Sequence, residues 1–265
     1  MSAIVTFTTD FGTEDHYAGT MKGVVLNINP EAQVIDICHQ VPAYDVLEGA
    51  LTIAQAYRYF PAGTVHVVVV DPGVGSLRRA IFADTGQHRF VAPDNGVLSF
   101  VIDREPHVTV RHITNQSYFL RPVSNTFHGR DIFAPVAAHL SLGVSGEDVG
   151  PEISDHKHLD LPTLRKVGTQ TIEGAVLKVD KFGNVVTNVT PGDFAEMLGT
   201  GAPLRVRIGS AEITELRHSY AGAKRGELFA IIGSMGFLEI AVNQDSAAAL
   251  LQVKPGDQVE VTTRG

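Results

Sequence analysis

The stretch that most constrains the fold is the apolar run from Val65 to Val70, VHVVVV, which is followed at once by Asp71, Pro72 and Gly73. A strand with one face in water alternates apolar and polar residues, whereas this run is apolar at nearly every position, as is typical of a strand covered on both faces. Strand-like and helix-like segments alternate through the first 160 residues. This pattern predicts an α/β fold in which a mostly parallel sheet is sandwiched by helices.

Turn and capping residues indicate where the other elements of this part begin and end. Further strands are predicted in the segments AIVTFTT, QVIDI, HRFVAP and HVTVRHI. The predicted helices run from about Asp15 to a stop at Pro30, from a capping box of Asp45 and Glu48 to Tyr57, over 97–102, and from about Arg130 to Leu142.

The pattern changes after residue 151. The segment 151–162, PEISDHKHLDLP, is polar, bounded by prolines and without periodicity, which is typical of a linker. The rest of the chain is poor in helix signals and predicts short strands at 171–179, 184–189, 204–208, 228–232, 237–242 and 258–263. We therefore predict two domains: an α/β domain over 1–160, and a small antiparallel barrel or sandwich over 161–265.

Composition argues against several classes of partner. The 265 residues include 21 Lys and Arg against 29 Asp and Glu, a net charge of −8, and no long basic cluster, so a nucleic-acid partner is not expected. No apolar run approaches the roughly 18 residues that a membrane helix needs, so no membrane partner is expected. The single cysteine, Cys38, fits a reducing compartment, and the chain starts in a strand-like segment rather than a leader. These features predict a cytoplasmic protein.

Three aspartates follow predicted strands, where ligands bind in open parallel sheets. Asp10 either caps the next helix or contacts a ligand, and Asp94 fits an ordinary Asp-Asn-Gly turn better than a ligand site. The sequence around Asp71 favours a functional role for this residue. The glycine-rich loop after it lets a ligand approach the backbone, and Arg78 can fold back onto its carboxylate. A structural salt bridge is the alternative.

Among 11 histidines, His128 has the most distinctive setting, in NTFHGRD directly before a predicted helix. The positive end of that helix favours a neutral imidazole. His156 and His158 form an HxH pair, but no cysteine or carboxylate at ligand spacing accompanies them, so no metal site is predicted. The sequence has no GxSxG, HExxH or Walker motif, and DPGVGS lacks the lysine of a phosphate loop.

Six ordered motifs give the chain a family resemblance that covers nearly its whole length. The motifs are TTDFG at 8–12, VVDPGVGSLRR at 69–79, APDNG at 92–96, TFHGRD at 126–131, DKFGNVVTN at 180–188 and GSMGFLEIAVNQ at 233–244. With them the chain resembles the S-adenosyl-L-methionine hydrolases that form adenosine, or SAM hydroxide adenosyltransferases, which are relatives of the 5′-halogenating adenosyl enzymes.

The resemblance implies hydrolysis of S-adenosyl-L-methionine to adenosine and L-methionine by in-line attack of an activated water on ribose C5′. It implies that Asp71, Arg78 and His128 are catalytic and handle the water. Either Asp71 or His128 would take the proton. No cofactor is implied. The halogenating relatives carry a serine where this chain has Gly129, which favours water as the nucleophile.

The resemblance also implies a ligand site shared by two subunits of a homotrimer, between the α/β domain of one and the C-terminal β-barrel of its neighbour. Met235 departs from the side chain that other members often carry at this position. The implied substrate-binding residues are Asp10 for the ribose, Tyr44 for the nucleoside, Asp180 and Ser234 for methionine, Phe182 and Asn184 for adenine, and Met235, Asn243 and Gln244 beside them.

Two alternative functions are compatible with the same residues. One is a halogenase that attacks the same carbon with halide, and the other is a sensor that binds an adenosyl ligand without turnover. Release of adenosine separates both from the hydrolase. A phosphohydrolase is disfavoured because the sequence offers no metal cluster.

Overall fold

A computed structural model gives the structure of this protein and describes residues 2–198 and 204–263. The chain divides into two compact units, Met1–Leu159 and Asp160–Gly265. The units are described separately below.

The first unit contains a six-stranded sheet and helices on both of its faces. Its strands are β1 Ile4–Thr9, β2 Gln33–Cys38, β3 Val65–Val69, β4 Ala80–Asp84, β5 Arg89–Pro93 and β6 Thr109–His112. Its helices are α1 Tyr17–Ile28, α2 Val46–Ala56, α3 Ser99–Arg104, α4 Ala134–Ser141 and α5 Gly146–Val149, with 3₁₀ turns at Tyr57–Tyr59 and Gln116–Tyr118 and a π-helical turn at Gly129–Phe133.

The strand order is β2-β1-β3-β5-β4-β6. β1 pairs in parallel with β2 and β3, and β3 with β5, whereas β4 runs antiparallel to both of its neighbours. The sheet is therefore mixed, and the predicted parallel arrangement holds only for its β2-β1-β3-β5 part. A four-residue loop joins β4 to β5, which allows only an antiparallel hairpin.

Both faces of β3 are covered, as its composition predicts. Val65, Val67 and Val69 belong to a core that α1 and α4 share, which includes Met21 and Ala137. The opposite face meets α2, where the space beside Gly49 is filled by the Val70 side chain. All five residues of β3 are buried. The polar side chains that follow the strand are thereby held against a rigid element.

Local signals set the helix boundaries. The Asp45 carboxylate accepts a hydrogen bond from the backbone N–H of Glu48 at 2.9 Å, which confirms the predicted N-cap of α2. The predicted helix from Arg130 begins instead as the π-helical turn and becomes α-helical only at Ala134. In the part of the chain that the structure describes, no helix is both long and apolar enough to cross a membrane.

The second unit is dominated by a nine-stranded sheet with its own buried core. Its strands are β7 Arg165–Val167, β8 Thr171–Val179, β9 Val185–Thr187, β10 Arg205–Ile208, β11 Ala211–Ile213, β12 Leu216–Arg217, β13 Leu228–Ile232, β14 Leu238–Val242 and β15 Gln258–Thr262. Its helices are α6 Pro191–Leu198 and α7 Ala247–Leu251, with a 3₁₀ turn at Tyr220–Gly222.

The main path of this sheet is β11-β10-β15-β8-β9-β14-β13-β12, and β7 also pairs with β8. The pairings are antiparallel except between β12 and β13. β11 contacts β13 near the other end of the path, so the sheet curls. Within residues 160–198 and 204–263 the two ends of the path are not hydrogen-bonded to each other, so the predicted barrel corresponds to a curled, open sheet.

Candidate active site

Strand β3 places Asp71 beside Arg78 at its carboxyl end. Arg78 Nε lies 2.9 Å from each carboxylate oxygen of Asp71, and Arg78 Nη2 donates to Oδ2 at 2.5 Å. The side chains of Asp71 and Arg78 are only 5% and 6% exposed. Because so little water reaches this pair, each ion depends on the other for compensation of its charge.

A tight loop returns Arg78 to the strand end. The Ser76 hydroxyl donates to the Gly73 carbonyl at 2.6 Å, and the backbone N–H of Arg78 donates to the Ser76 oxygen at 3.2 Å. Gly75 has a φ of 77°, and a Cβ on it would overlap the carbonyl oxygen of Asn125. Only glycine fits this conformation and this close approach.

His128 completes a three-residue cluster. Arg78 Nη2 donates to His128 Nδ1 at 2.8 Å. A guanidinium has only donors, so Nδ1 accepts, and the neutral imidazole carries its proton on Nε2. Burial, and next the positive charge of Arg78, lower the pKa of His128 below its ordinary value of 6.5. His128 is therefore neutral at pH 7, as expected from the sequence, although the main cause is burial rather than the helix end.

The π-helical turn begins directly after His128. The backbone N–H of Ala134 donates to the carbonyl of Gly129, five residues earlier. Gly129 is tightly enclosed, since a Cβ there would lie 2.9 Å from Met21 Sδ. π turns occur frequently at functional sites. This one fixes the chain at the residue that presents the imidazole.

Asp10 and Tyr44 are linked through the backbone. Asp10 Oδ2 accepts the N–H of Tyr44 at 2.8 Å, and Tyr44 has an unusual positive φ of 68° that leaves its side chain 73% exposed. Burial raises the pKa of Asp10, and the negative charge of Asp71 raises it further. The two carboxylates therefore repel each other. The alternative that Asp10 caps a helix is wrong, because α1 begins after His16 without a side-chain cap.

Asp94 has a structural role, as the turn interpretation favours. It is 2% exposed, and its carboxylate accepts from Arg79 Nε at 2.8 Å and from the Lys157 N–H at 2.8 Å. Arg79 also donates to Asp155 at 2.7 Å. Asp94 and Arg79 thus anchor the segment 155–157 to the rest of the first unit.

The second unit contains a cleft of about 990 Å³. Asp180 Oδ1 accepts the N–H groups of Phe182 and Asn184 at 2.8 and 2.9 Å, and its Oδ2 accepts from the Asn184 side chain at 2.9 Å. Asp180 therefore shapes its own loop, which leaves the Phe182 ring 71% exposed. Every substrate-binding residue predicted in this unit lines the cleft, namely Asp180, Phe182, Asn184, Ser234, Met235, Asn243 and Gln244.

Sequence reasoning missed other cleft residues, above all Glu239. This glutamate is 6% exposed in β14, whose other residues are apolar and buried. Burial raises the pKa of its carboxyl, and the charge of Asp180 adds to the rise. A carboxylate inside the apolar run LEIAV is a signal that could have identified it. Lys178, His218 and Tyr220 also line the cleft.

The HxH pair forms a close contact of its own. His156 Nε2 and His158 Nε2 are 3.0 Å apart, and His158 Nδ1 is 3.7 Å from Asp103. Over residues 2–198 and 204–263, no three or more His, Cys, Asp or Glu side chains are grouped so that they could hold a metal ion.

Comparison with known families decides the relationship of the chain. The model of the SAM hydroxide adenosyltransferase N-terminal domain matches residues 5–150, and that of the C-terminal domain matches 174–260. The chain belongs to the SAM hydroxide adenosyltransferase family. The (R)-S-adenosyl-L-methionine hydrolase of Salinispora arenicola is 41% identical to this chain over 97% of both sequences.

Solved structures and more distant relatives agree with this assignment. The crystal structure of an uncharacterised conserved protein from Thermotoga maritima matches this chain with a TM-score of 0.88 and 40% identity, over 97% of this chain and 99% of that one. A fluorinase from Nocardia brasiliensis is 28% identical over 97% of this chain and 96% of its own. Halide-using enzymes are thus relatives of this chain, but less similar ones.

Proposed function

We propose that the chain hydrolyses S-adenosyl-L-methionine to adenosine and L-methionine through attack of water on ribose C5′. The observation that carries this proposal is the cluster in which Arg78 contacts both the Asp71 carboxylate and the His128 imidazole, with the Asp71 and Arg78 side chains almost fully buried. The sequence identity of 41% to a protein named as an (R)-S-adenosyl-L-methionine hydrolase supports the choice of substrate.

The substrate needs a nucleophile more than an acid. The sulfonium makes a neutral thioether the leaving group, so the C5′–S bond breaks with its electron pair going to sulfur without protonation. A new bond forms between the water oxygen and C5′, and one water proton must leave. As that bond forms the oxygen becomes strongly acidic, so even a carboxylate is basic enough to take the proton.

The contacts of the cluster support Asp71 as the proton acceptor. His128 Nδ1 accepts from Arg78 and Nε2 carries the ring proton, so this imidazole has no free acceptor nitrogen. The carboxylate of Asp71 has acceptor positions beyond those that Arg78 uses. Arg78 orients the carboxylate, and His128 Nε2–H donates to the attacking oxygen. Exclusion of bulk water strengthens each of these interactions. The contacts themselves hold the water oxygen and C5′ in line.

Substrate binding would use both units. Asp10 would accept from the ribose hydroxyls and Tyr44 would pack on the nucleoside. In the cleft of the second unit, Phe182, Asn184, Asn243 and Gln244 would contact adenine, while Asp180, Ser234 and Met235 would contact the methionine end. No cofactor takes part in this scheme.

We further propose a cytoplasmic homotrimer in which the first unit, as the catalytic domain, and the antiparallel, barrel-like second unit of a neighbour close one site. The rings of Tyr44 and Phe182 are 73% and 71% exposed, and in this arrangement the ligand and the neighbouring subunit would cover them. Light scattering on the purified protein should give a mass three times that of one chain.

The deciding experiment supplies each sulfonium epimer of S-adenosyl-L-methionine separately in oxygen-18 water, because the relatives are named for the (R) form. Mass spectrometry should find the label in adenosine and none in methionine. Label in methionine, or substrate left intact over hours, would overturn the proposal. A 5′-chlorinated nucleoside in concentrated chloride would instead support a halogenase.

A further inference from the structure

A buried histidine that the proposed reaction does not use lies beside Asp10. His39 is 5% exposed and follows β2 directly. Its Nδ1 lies 2.8 Å from the hydroxyl of Thr9, the last residue of β1, and its Nε2 lies 3.0 Å from Asp36 Oδ1. Asp36 Oδ2 in turn accepts from Lys22 Nζ at 2.6 Å. A polar chain thus runs from the surface to the residue preceding Asp10.

An irregularity in the sheet creates this contact. β1 and β2 pair in parallel with Phe7 opposite Asp36, but the register then shifts so that Thr8 lies opposite Cys38. Without the shift, Thr9 would lie opposite Cys38 instead of beside His39. Strand irregularities of this kind often redirect side chains next to active sites.

His39 also holds the loop around Asp10 through its backbone. The N–H of Gly12 donates to the His39 carbonyl at 2.7 Å, and the N–H of Val41 donates to the Thr9 carbonyl at 3.4 Å. The two residues that flank the Asp10 loop, Thr9 and Gly12, are therefore both bound to His39. Nothing else in the proposed reaction accounts for a buried imidazole at this position.

We infer that His39 is a positioning residue for Asp10. Through its contacts with Thr9 on one side and Gly12 on the other, it fixes the carboxylate that accepts hydrogen bonds from the ribose hydroxyls. This inference rests on the proposed function. It concerns binding rather than chemistry, because a contact to the ribose hydroxyls exists in both the ground state and the transition state and lowers KM without changing kcat.

Two variants separate the two contacts of the His39 side chain. In His39→Asn, the amide occupies the position of Nδ1 and keeps the Thr9 contact, while the Asp36 contact is lost. In His39→Gln, the longer side chain reaches the position of Nε2 and keeps the Asp36 contact, while the Thr9 contact is lost. Both amides can donate and accept, so polarity is matched between the variants.

We expect His39→Gln to weaken adenosine binding, measured by titration calorimetry, and to raise KM for the substrate, each by about tenfold, with kcat within about threefold of the parent. His39→Asn should stay within about threefold of the parent in all three constants. Thr9→Val removes the same contact from the other side, together with the 3.3 Å hydrogen bond from the Phe11 N–H to the Thr9 hydroxyl. It should therefore weaken binding at least as much as His39→Gln, which keeps the test valid if that variant does not fold. His139→Gln, a half-buried histidine on α4, controls for the substitution itself.

The inference is overturned if His39→Gln and Thr9→Val both bind adenosine as the parent does, or if His39→Asn is as impaired as His39→Gln. A fall in kcat at unchanged KM would also overturn it. If the parent protein releases no adenosine from the substrate and binds none, the proposed function fails, and the inference fails with it. If the parent is active, only the role of His39 is at stake.

Discussion

Arg78 holds the carboxylate of Asp71 through both Nε and Nη2, and both side chains are almost fully removed from solvent. In such a pair the orientation of the carboxylate is fixed before substrate arrives. Truncating either member leaves the other ion buried without a hydrogen-bond partner, so isosteric replacements, which keep the shape and a polar contact, are the informative ones.

Asp71→Asn keeps the size of the side chain but removes its ability to take a proton. We expect kcat to fall by about 10²- to 10⁴-fold, the usual contribution of a general base. Adenosine affinity should stay within about threefold of the parent, because the reacting water is not part of that complex. Steady-state kinetics and calorimetry measure the two quantities. Asp84→Asn, at the end of β4, is the matched control, and a kcat near that of the parent in Asp71→Asn would contradict the assigned role.

The protonation of His128 should limit activity in acid. Burial and the Arg78 charge lower its pKa, so the ring stays neutral on acidification through pH 6.5 and gains a proton only below that value. The imidazolium would then face Arg78 and lose the contact at Nδ1. NMR titration should place the His128 midpoint below 6.5. His128→Asn keeps an acceptor for Arg78 but has no group that gains a proton in this range. Its residual activity should therefore lack the decrease at acid pH that protonation of His128 causes in the parent. A midpoint above 6.5 would refute this account.

Gly75→Ala should distort the loop over residues 72–78, which returns Arg78 to Asp71. The added methyl group would meet the Asn125 carbonyl at a backbone conformation that already disfavours alanine. We expect a loss of at least about tenfold in kcat and of about 1–3 kcal/mol in the free energy of unfolding. Gly86→Ala is the matched control, since its φ of 82° is similar but the space beside it is open. Equal effects of the two substitutions on kcat would show that the Asn125 contact is irrelevant.

Glu239→Gln should separate a cationic ligand from a neutral one. Glu239 and Asp180 give the cleft two neighbouring carboxyl groups, which attract the sulfonium and ammonium of the substrate. We expect KM for S-adenosyl-L-methionine to rise by about tenfold and adenosine affinity to change by less than about threefold. Glu260→Gln on β15, a partly exposed glutamate outside the cleft, controls for loss of charge. Equal weakening of both ligands would mean that Glu239 contacts the nucleoside.

His66 should make the first unit sensitive to acid. It is fully buried between Thr6 and His88, and burial, followed by the charge of His88, lowers its pKa from 6.5 to about 3. Between those values the unfolded chain binds a proton that the folded chain does not, so stability falls as the pH falls through that window. The loss is on the order of 4 kcal/mol in the free energy of unfolding.

Urea unfolding at a series of pH values from 7 to 4 measures this effect. His66→Gln should flatten the dependence on pH. Thr6→Val removes the 2.7 Å contact to the ring but leaves the titrating group, so it should lower stability at every pH and keep the slope. An unchanged slope in His66→Gln would rule out His66 as its source.

Much of the fold could be predicted because single segments carry strong signals. β8 and β13 have the predicted bounds, since each is an apolar segment long enough to be recognised alone. The strands β7, β11 and β12 were not predicted, because two or three residues carry too little pattern to be recognised. β4 was missed as well, and with it the antiparallel direction that its short loop to β5 imposes. The π turn after His128 has no local sequence signal at all.

The candidate site divides in the same way. The carboxylate after β3 and the returning Arg78 follow from the strand and its glycine-rich loop, whereas the cleft residues were named from family resemblance alone. The bond between Asp10 and the Tyr44 backbone depends on a positive φ at a tyrosine, which sequence does not indicate. His39 went unnoticed because only a register shift between β1 and β2 brings it beside Thr9.

The π turn at Gly129–Phe133 limits how this enzyme can be made more heat-resistant. Deleting one residue there would restore regular α-helical hydrogen bonds, a repair that a designer would choose for its gain in melting temperature. The deletion would also rotate everything before it by about 100° around the helix axis, which would swing the His128 ring away from Arg78. At this point the chain keeps a weaker helix start that holds the His128 ring in contact with Arg78.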